Sequence, residues 1–175
     1  NEGQADYFAT AKCLRKYFEK LNNSAQVISK VAVPVPVQEK CFAAFGQSRD
    51  HAVCVRVALS GQSMGNLFAA LRKLPTKPDF STPITVPVTA TNDNHPDPQC
   101  RLDTYFNGGI CTVAHTVDLS DKDEKAGACT DYAKGGARAK CWFKPSATGF
   151  QNNGRVASSS QTRSNGNGGF QGGRN

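Results

Sequence analysis

Residues 51–74, HAVCVRVALSGQSMGNLFAALRKL, decide how this chain is read. In the first nine positions Val53, Val55, Val57 and Leu59 alternate with Cys54 and Arg56, the period of two that a half-buried strand requires. From Met64 the period lengthens. Met64, Leu67, Phe68, Leu71 and Leu74 recur at helical spacing, Arg72 and Lys73 complement the dipole of the last turn, and Pro75 stops the run. The expectation is a strand over 51–59 followed by an amphipathic helix ending at Leu74.

Upstream, residues 5–21 predict a second amphipathic helix. Tyr7, Phe8, Ala11, Leu14, Phe18 and Leu21 fall on one face, Lys12, Lys16, Glu19 and Lys20 on the other, and Asp6 takes the N-cap. Between the helices, Val31, Val33, Val35 and Val37 are interrupted by Pro34 and Pro36, which reads as an edge strand or an extended polyproline segment. Beyond Pro75 no helical pattern is found. Prolines crowd residues 75–98, Ile84, Val86 and Val88 alternate as an edge strand, and strands are expected over 110–119 and 140–144. Helices early and strands late give an α+β fold, two helices on a small, mainly antiparallel sheet. One domain is expected over residues 1–150, with a sub-boundary near 75–83. Residues 151–175 form a Gly/Asn/Ser-rich tail too poor in apolar side chains to fold alone.

Seven cysteines, Cys13, Cys41, Cys54, Cys100, Cys111, Cys129 and Cys141, stand in a chain of 175 residues with no Cys-x-x-Cys pair. Their number and scatter indicate a disulfide framework in an oxidising compartment, hence a secreted or cell-surface protein. The chain does not begin with Met, so a signal peptide is expected to have been removed before its first residue. Cys100 and Cys111 bracket Asn107-Gly108-Gly109, and Cys129 and Cys141 bracket Gly135-Gly136, so each pair is expected to staple a hairpin-like loop. Cys13 is expected to reach Cys41 or Cys54. One thiol must remain over.

The net charge is +7, and it is uneven. Residues 1–75 carry ten basic against five acidic residues, 76–150 eight against nine, and the last 25 three arginines and no acid. Such a surface attracts polyanions, an acidic polysaccharide among them. No run of five basic residues exists, and no segment approaches the roughly 18 apolar residues of a membrane span.

Gly61-Gln62-Ser63-Met64-Gly65 lies between the predicted strand and the predicted helix. In that setting the stretch from Val57 to Leu74 resembles the nucleophile elbow of the α/β-hydrolases, whose glycines relieve crowding around a strained serine. The resemblance implies a small secreted serine hydrolase using Ser63, with Asp103 as acid and His115 as base; Asp93 and His95 are rivals for those roles. Ser63 as a helix N-cap accounts for the same residues. The remaining chemistry is sparse. His51 and Cys54 fall on opposite faces of the predicted strand, and the three histidines are too scattered for zinc. The acidic stretches 92–97 and 118–124 do not follow EF-hand spacing, so neither metal nor cofactor is expected. An odd thiol, proline-broken edge strands and a low-complexity tail favour a non-catalytic extracellular module that assembles with copies of itself, the tail and edge strands touching neighbouring subunits. The hydrolase and a basic polyanion-binding protein are the alternatives.

Overall fold

The computed structural model describes residues 2–120 and 122–146; the tail expected over 151–175 lies outside them. Half of the described residues are helical, and among them there is no strand and no sheet, so the expected α+β class is wrong. Six α-helices carry the fold: α1 (Glu2–Phe8), α2 (Arg15–Leu21), α3 (Ser24–Ile28), α4 (Val35–Phe45), α5 (Arg49–Leu71) and α6 (Pro98–Ile110). A π-helical turn over Ala9–Leu14 joins α1 to α2, so the expected N-terminal helix exists with a change of register inside it.

The stretch that decides the fold is one helix. Ser48 caps α5, its hydroxyl accepting from the His51 N–H, and the helix runs through the region expected as a strand. The alternation misled because this half of α5 is buried on several sides at once. Val53 and Val57 meet Phe18, while Cys54, Val55 and Ala58 belong to a core with Val37, Leu102, Phe106 and Ile110. A helix buried all round has apolar residues at nearly every position, and period then distinguishes nothing.

The second half of α5 is also the reverse of expectation. Gly61, Gly65 and Ala69 are its buried positions, whereas Met64, Leu67 and Leu71 are exposed. The small residues let α6 approach: a Cβ placed on Gly61 would stand 2.6 Å from the Cβ of Tyr105. Leu74 follows in a Schellman-type cap, its N–H donating to Ala69 O at 2.9 Å and that of Lys73 to Ala70 O at 3.0 Å, with Lys73 left-handed at φ 53°.

The prolines near 34 and 36 begin a helix instead of interrupting a strand. Pro36 sits in the first turn of α4, where its missing N–H leaves no bond unmade. Helix α6 was not expected at all. Asp97 caps it by accepting from the Cys100 N–H at 3.1 Å, and Pro98 opens it. Its Gly108-Gly109 pair, expected as a hairpin turn, lies inside the last helical turn. A Cβ on Gly108 would fall 3.0 Å from both Ala11 N and Tyr7 O, so glycine there permits the N-terminal segment to cross α6.

Among the described residues beyond Cys111 the chain is irregular. The expected strands at 84–88, 110–119 and 140–144 are replaced by bends and turns, with single bonds tying the first and last regions, Val88 N–H to Lys140 O at 2.9 Å and Asn92 N–H to Trp142 O at 2.7 Å. Two bridges fasten this half, Cys100–Cys141 and Cys111–Cys129; a third, Cys41–Cys54, joins α4 to α5. The expected pairs Cys100–Cys111 and Cys129–Cys141 are therefore incorrect, and Cys13 pairs with neither Cys41 nor Cys54 but is free and exposed. Both errors share one cause: the glycines taken as hairpin turns do not form hairpins. Long basic side chains complete the fastening. Lys12 Nζ donates to Ala114 O at 2.9 Å, and Arg15 donates to Cys111 O and Val113 O at 2.5 and 2.8 Å. Lys12, expected on a solvent face, is thus buried, and its burial pulls the ammonium pKa down.

Candidate functional site

The residues of the expected hydrolase elbow do not converge. Ser63 lies within α5, exposed, and its hydroxyl donates to Leu59 O at 3.1 Å, the ordinary back-bond of a helical serine. His115 pairs with Glu19, Nδ1 to Oε2 at 3.3 Å. Asp103 is on α6, where its oxygens accept from Ile84 N–H at 2.8 Å and from the Gln99 amide at 2.9 Å. Of the rivals, His95 faces Glu2 at 3.4 Å. Asp6, expected as an N-cap, is instead buried against Arg101 and Tyr105. His51 and Cys54 share α5, the ring of His51 edge-on to Phe42 and Cys54 taken up in its bridge. Among the described residues no three His, Cys, Asp or Glu side chains converge to hold a metal, and no helix is long and apolar enough to cross a membrane. Of the two acidic stretches, the first spends Asp97 on capping α6, and in the second Asp123 accepts from the Lys125 N–H.

Two surfaces stand out. The first is a cleft of about 350 Å³ along one face of α6. Asp103, Phe106, Asn107 and Ile110 line it at i, i+3, i+4 and i+7 spacing, the signature of a single helical face. Phe80 closes one side, its ring 5.0 Å from that of Phe106 and edge-on to it. Lys40 comes from α4 and Lys140 from the C-terminal segment, the Lys140 ammonium 4.4 Å above the Tyr132 ring. Burial among these groups pushes the Asp103 carboxyl up to about 6, against the pull of its two donors. The partly buried Tyr132 phenol is likewise raised, to about 12, chiefly by burial.

Only Asp103 of this cleft was marked by sequence. The signal for the rest was Asp97-Pro98, an N-cap followed by proline at the first helical position; starting a helix there brings Phe106 and Ile110 onto the face of Asp103.

The second surface is the outer face of α5. Met64, Leu67 and Leu71 are 42% to 69% exposed, and their 3-4 spacing is that of a coiled-coil seam; Leu74, also exposed, lies past the end of the helix and its left-handed Lys73. The flanks are polar or basic: Ser63 at one end, Arg72, Lys73 and Lys77 at the other, with no acidic residue between Asp50 and Asp79. No known family, curated protein or solved structure matches the chain.

Proposed function

We propose that this protein is an exported, disulfide-stapled helical module that associates with copies of itself through the outer face of α5. The observation that carries the reading is the exposed seam of Met64, Leu67 and Leu71 on a helix whose opposite face is already packed. Three large apolar side chains in a row, each still 42% to 69% exposed, leave water only by meeting another apolar surface, and each gains part of the about 1.5–3 kcal/mol that full burial is worth. A second copy fits the charge pattern in one orientation. Antiparallel seams place Arg72 and Lys73 of each chain beside the neutral Ser63 end of the other, separating like charges by about 1.5 Å per intervening residue, beyond the Debye length of about 8 Å. The three bridges support an oxidising compartment, and the exposed Cys13 offers a thiol through which associated copies become covalently joined there.

Sedimentation of the full chain over a range of concentrations tests this. Association is expected in the wild type, lost in Leu67→Glu/Leu71→Glu with helicity unchanged, and retained without covalent linkage in Cys13→Ser. A wild type that remains monomeric at every concentration overturns the reading.

The basic end of α5 supports a second reading, an acidic polysaccharide bound at Arg72, Lys73 and Lys77, whose affinity for a sulfated glycan falls steeply with salt. It requires charge and not the seam, so Leu67→Glu/Leu71→Glu separates the two.

A further inference from the structure

The α6 cleft has the make-up of a small-ligand site. Its volume of about 350 Å³ lies within the range of ligand pockets, and its walls combine apolar rings with a few polar groups. The singular group is Asp103. Among the described residues its carboxyl bonds only to neutral donors, Ile84 N–H and the Gln99 amide, so it faces the cleft with no basic partner. Each carboxylate oxygen keeps a further acceptor site beyond the bond it makes. Asp97, at the head of the same helix, adds negative potential. Of the lysines lining the cleft, Lys140 lies over Tyr132 and Lys40 is exposed to solvent. A carboxylate desolvated without a counter-ion is an electrostatic demand for a cation, and the rings beside it accept an apolar body.

We propose that this cleft binds a protonated amine carried on an apolar body, the ammonium meeting Asp103 and the apolar part lying on Phe80, Phe106 and Ile110. A free aromatic amine and the N-terminal residue of a peptide share that chemistry. For the peptide, the exposed Lys40 on the cleft wall would meet a carboxylate further along the chain.

The test is titration of the full-length protein, followed by amide chemical shifts, with phenethylamine, 3-phenylpropionate, Phe-Gly-Gly and acetyl-Phe-Gly-Gly. The amide of Ile84 reports directly, since it donates to Asp103. Phenethylamine is expected to bind saturably in the millimolar range and 3-phenylpropionate not to bind. Phe-Gly-Gly binding tighter than phenethylamine, with its acetylated form inert, identifies a peptide end; the reverse order identifies a free amine. Asp103→Asn should weaken binding at least tenfold. In the wild type, affinity should drop about tenfold between about pH 7 and pH 5, because a carboxyl titrating near 6 is mostly ionised at the first and mostly protonated at the second. The pH series stands even if the variant fails to fold. Absence of saturable amine binding, equal binding of the propionate, or affinity indifferent to pH overturns the proposal.

Discussion

Arg101 grips Asp6 across 95 residues of sequence with two parallel bonds, Nε to Oδ2 at 2.8 Å and NH2 to Oδ1 at 2.7 Å. The pair ties α1 to α6 and is almost wholly buried. Tyr105 donates its hydroxyl to the same carboxylate at 2.8 Å, and the guanidinium stacks 3.8 Å above the Phe68 ring. Burial works against the Arg101 charge, but the bonds to Asp6 outweigh it and raise its pKa. Burial and the bond to Asp6 likewise drive the Tyr105 phenol far upward.

Removing Arg101 leaves Asp6 charged in a desolvated place with only the Tyr105 hydroxyl, and removing Asp6 leaves Arg101 only the longer, partly exposed contact to Glu2 at 3.4 Å. Arg101→Met is therefore expected to cost about 3–5 kcal/mol, and Asp6→Leu somewhat less because Glu2 remains beside the guanidinium. The double variant Asp6→Leu/Arg101→Met should lose less than the sum, because neither buried charge remains. Urea unfolding of the three variants measures the coupling; additive losses would show that the two side chains do not interact.

The cysteine pairing makes a sharper statement. Peptide mapping without reduction should return Cys41–Cys54, Cys100–Cys141 and Cys111–Cys129, and a thiol reagent applied to the native monomer should label Cys13 alone. Cys100–Cys141 spans 41 residues, the longest of the three loops, so its removal should destabilise most, by about 2–5 kcal/mol. Recovery of Cys100–Cys111 or Cys129–Cys141 peptides would contradict this architecture.

How much of this was legible depends on what each residue pattern reports. The N-terminal helix and the existence of a helix in the second half of α5 could be read from apolar spacing, but in α5 that spacing marks the exposed face, since Gly61, Gly65 and Ala69 are the buried ones. The first half of α5 could not, since Val53 and Val57 are buried against Phe18 while Val55 is buried on another side against the main core. The same blindness hid α6, whose ten buried residues include Arg101 and Thr104 beside Leu102 and Ile110. Thr104 turns its hydroxyl to Cys100 O at 2.7 Å, so a polar residue fits the interior without breaking the helix. Asp103 serves no catalytic order; the cleft around it exists because α6 brings Phe106 and Ile110 onto its face.

Gly108 tests the crossing of α1 and α6 directly. Gly108→Ala puts a methyl group into backbone atoms at 3.0 Å, Ala11 N and Tyr7 O, and onto the Thr10 hydroxyl still closer. Overpacking of this kind costs about 1–3 kcal/mol, visible as a lowered Tm. An alanine that raised Tm through its better helix propensity would mean that the helices are not in this contact.

Ser63 distinguishes a helical serine from an activated one. Its hydroxyl is spent on Leu59 O, so Ser63→Ala should change stability by no more than about 0.5 kcal/mol. A fluorophosphonate should leave Ser63 unmodified. Stoichiometric labelling abolished by Ser63→Ala would restore the hydrolase reading and require a base that moves to meet it.

Asp103 contributes to the pH dependence of stability with a definite sign. A carboxyl near 6 in the folded protein and near 4 when unfolded binds its proton more tightly folded, so this group favours folding most below about pH 4. That contribution is lost as pH rises from about 4 through 6 and stays constant above. Most acidic groups behave oppositely, and several titrate in the same window, so the informative quantity is the difference between wild type and Asp103→Asn. The neutral amide keeps an acceptor for one donor but cannot titrate. Stability of the variant relative to wild type should therefore rise between about pH 4 and pH 6.5 and then level off. A difference that is flat across that interval would mean the carboxyl is solvated as an ordinary surface aspartate, and the cleft would lose the unpaired charge that makes it a site.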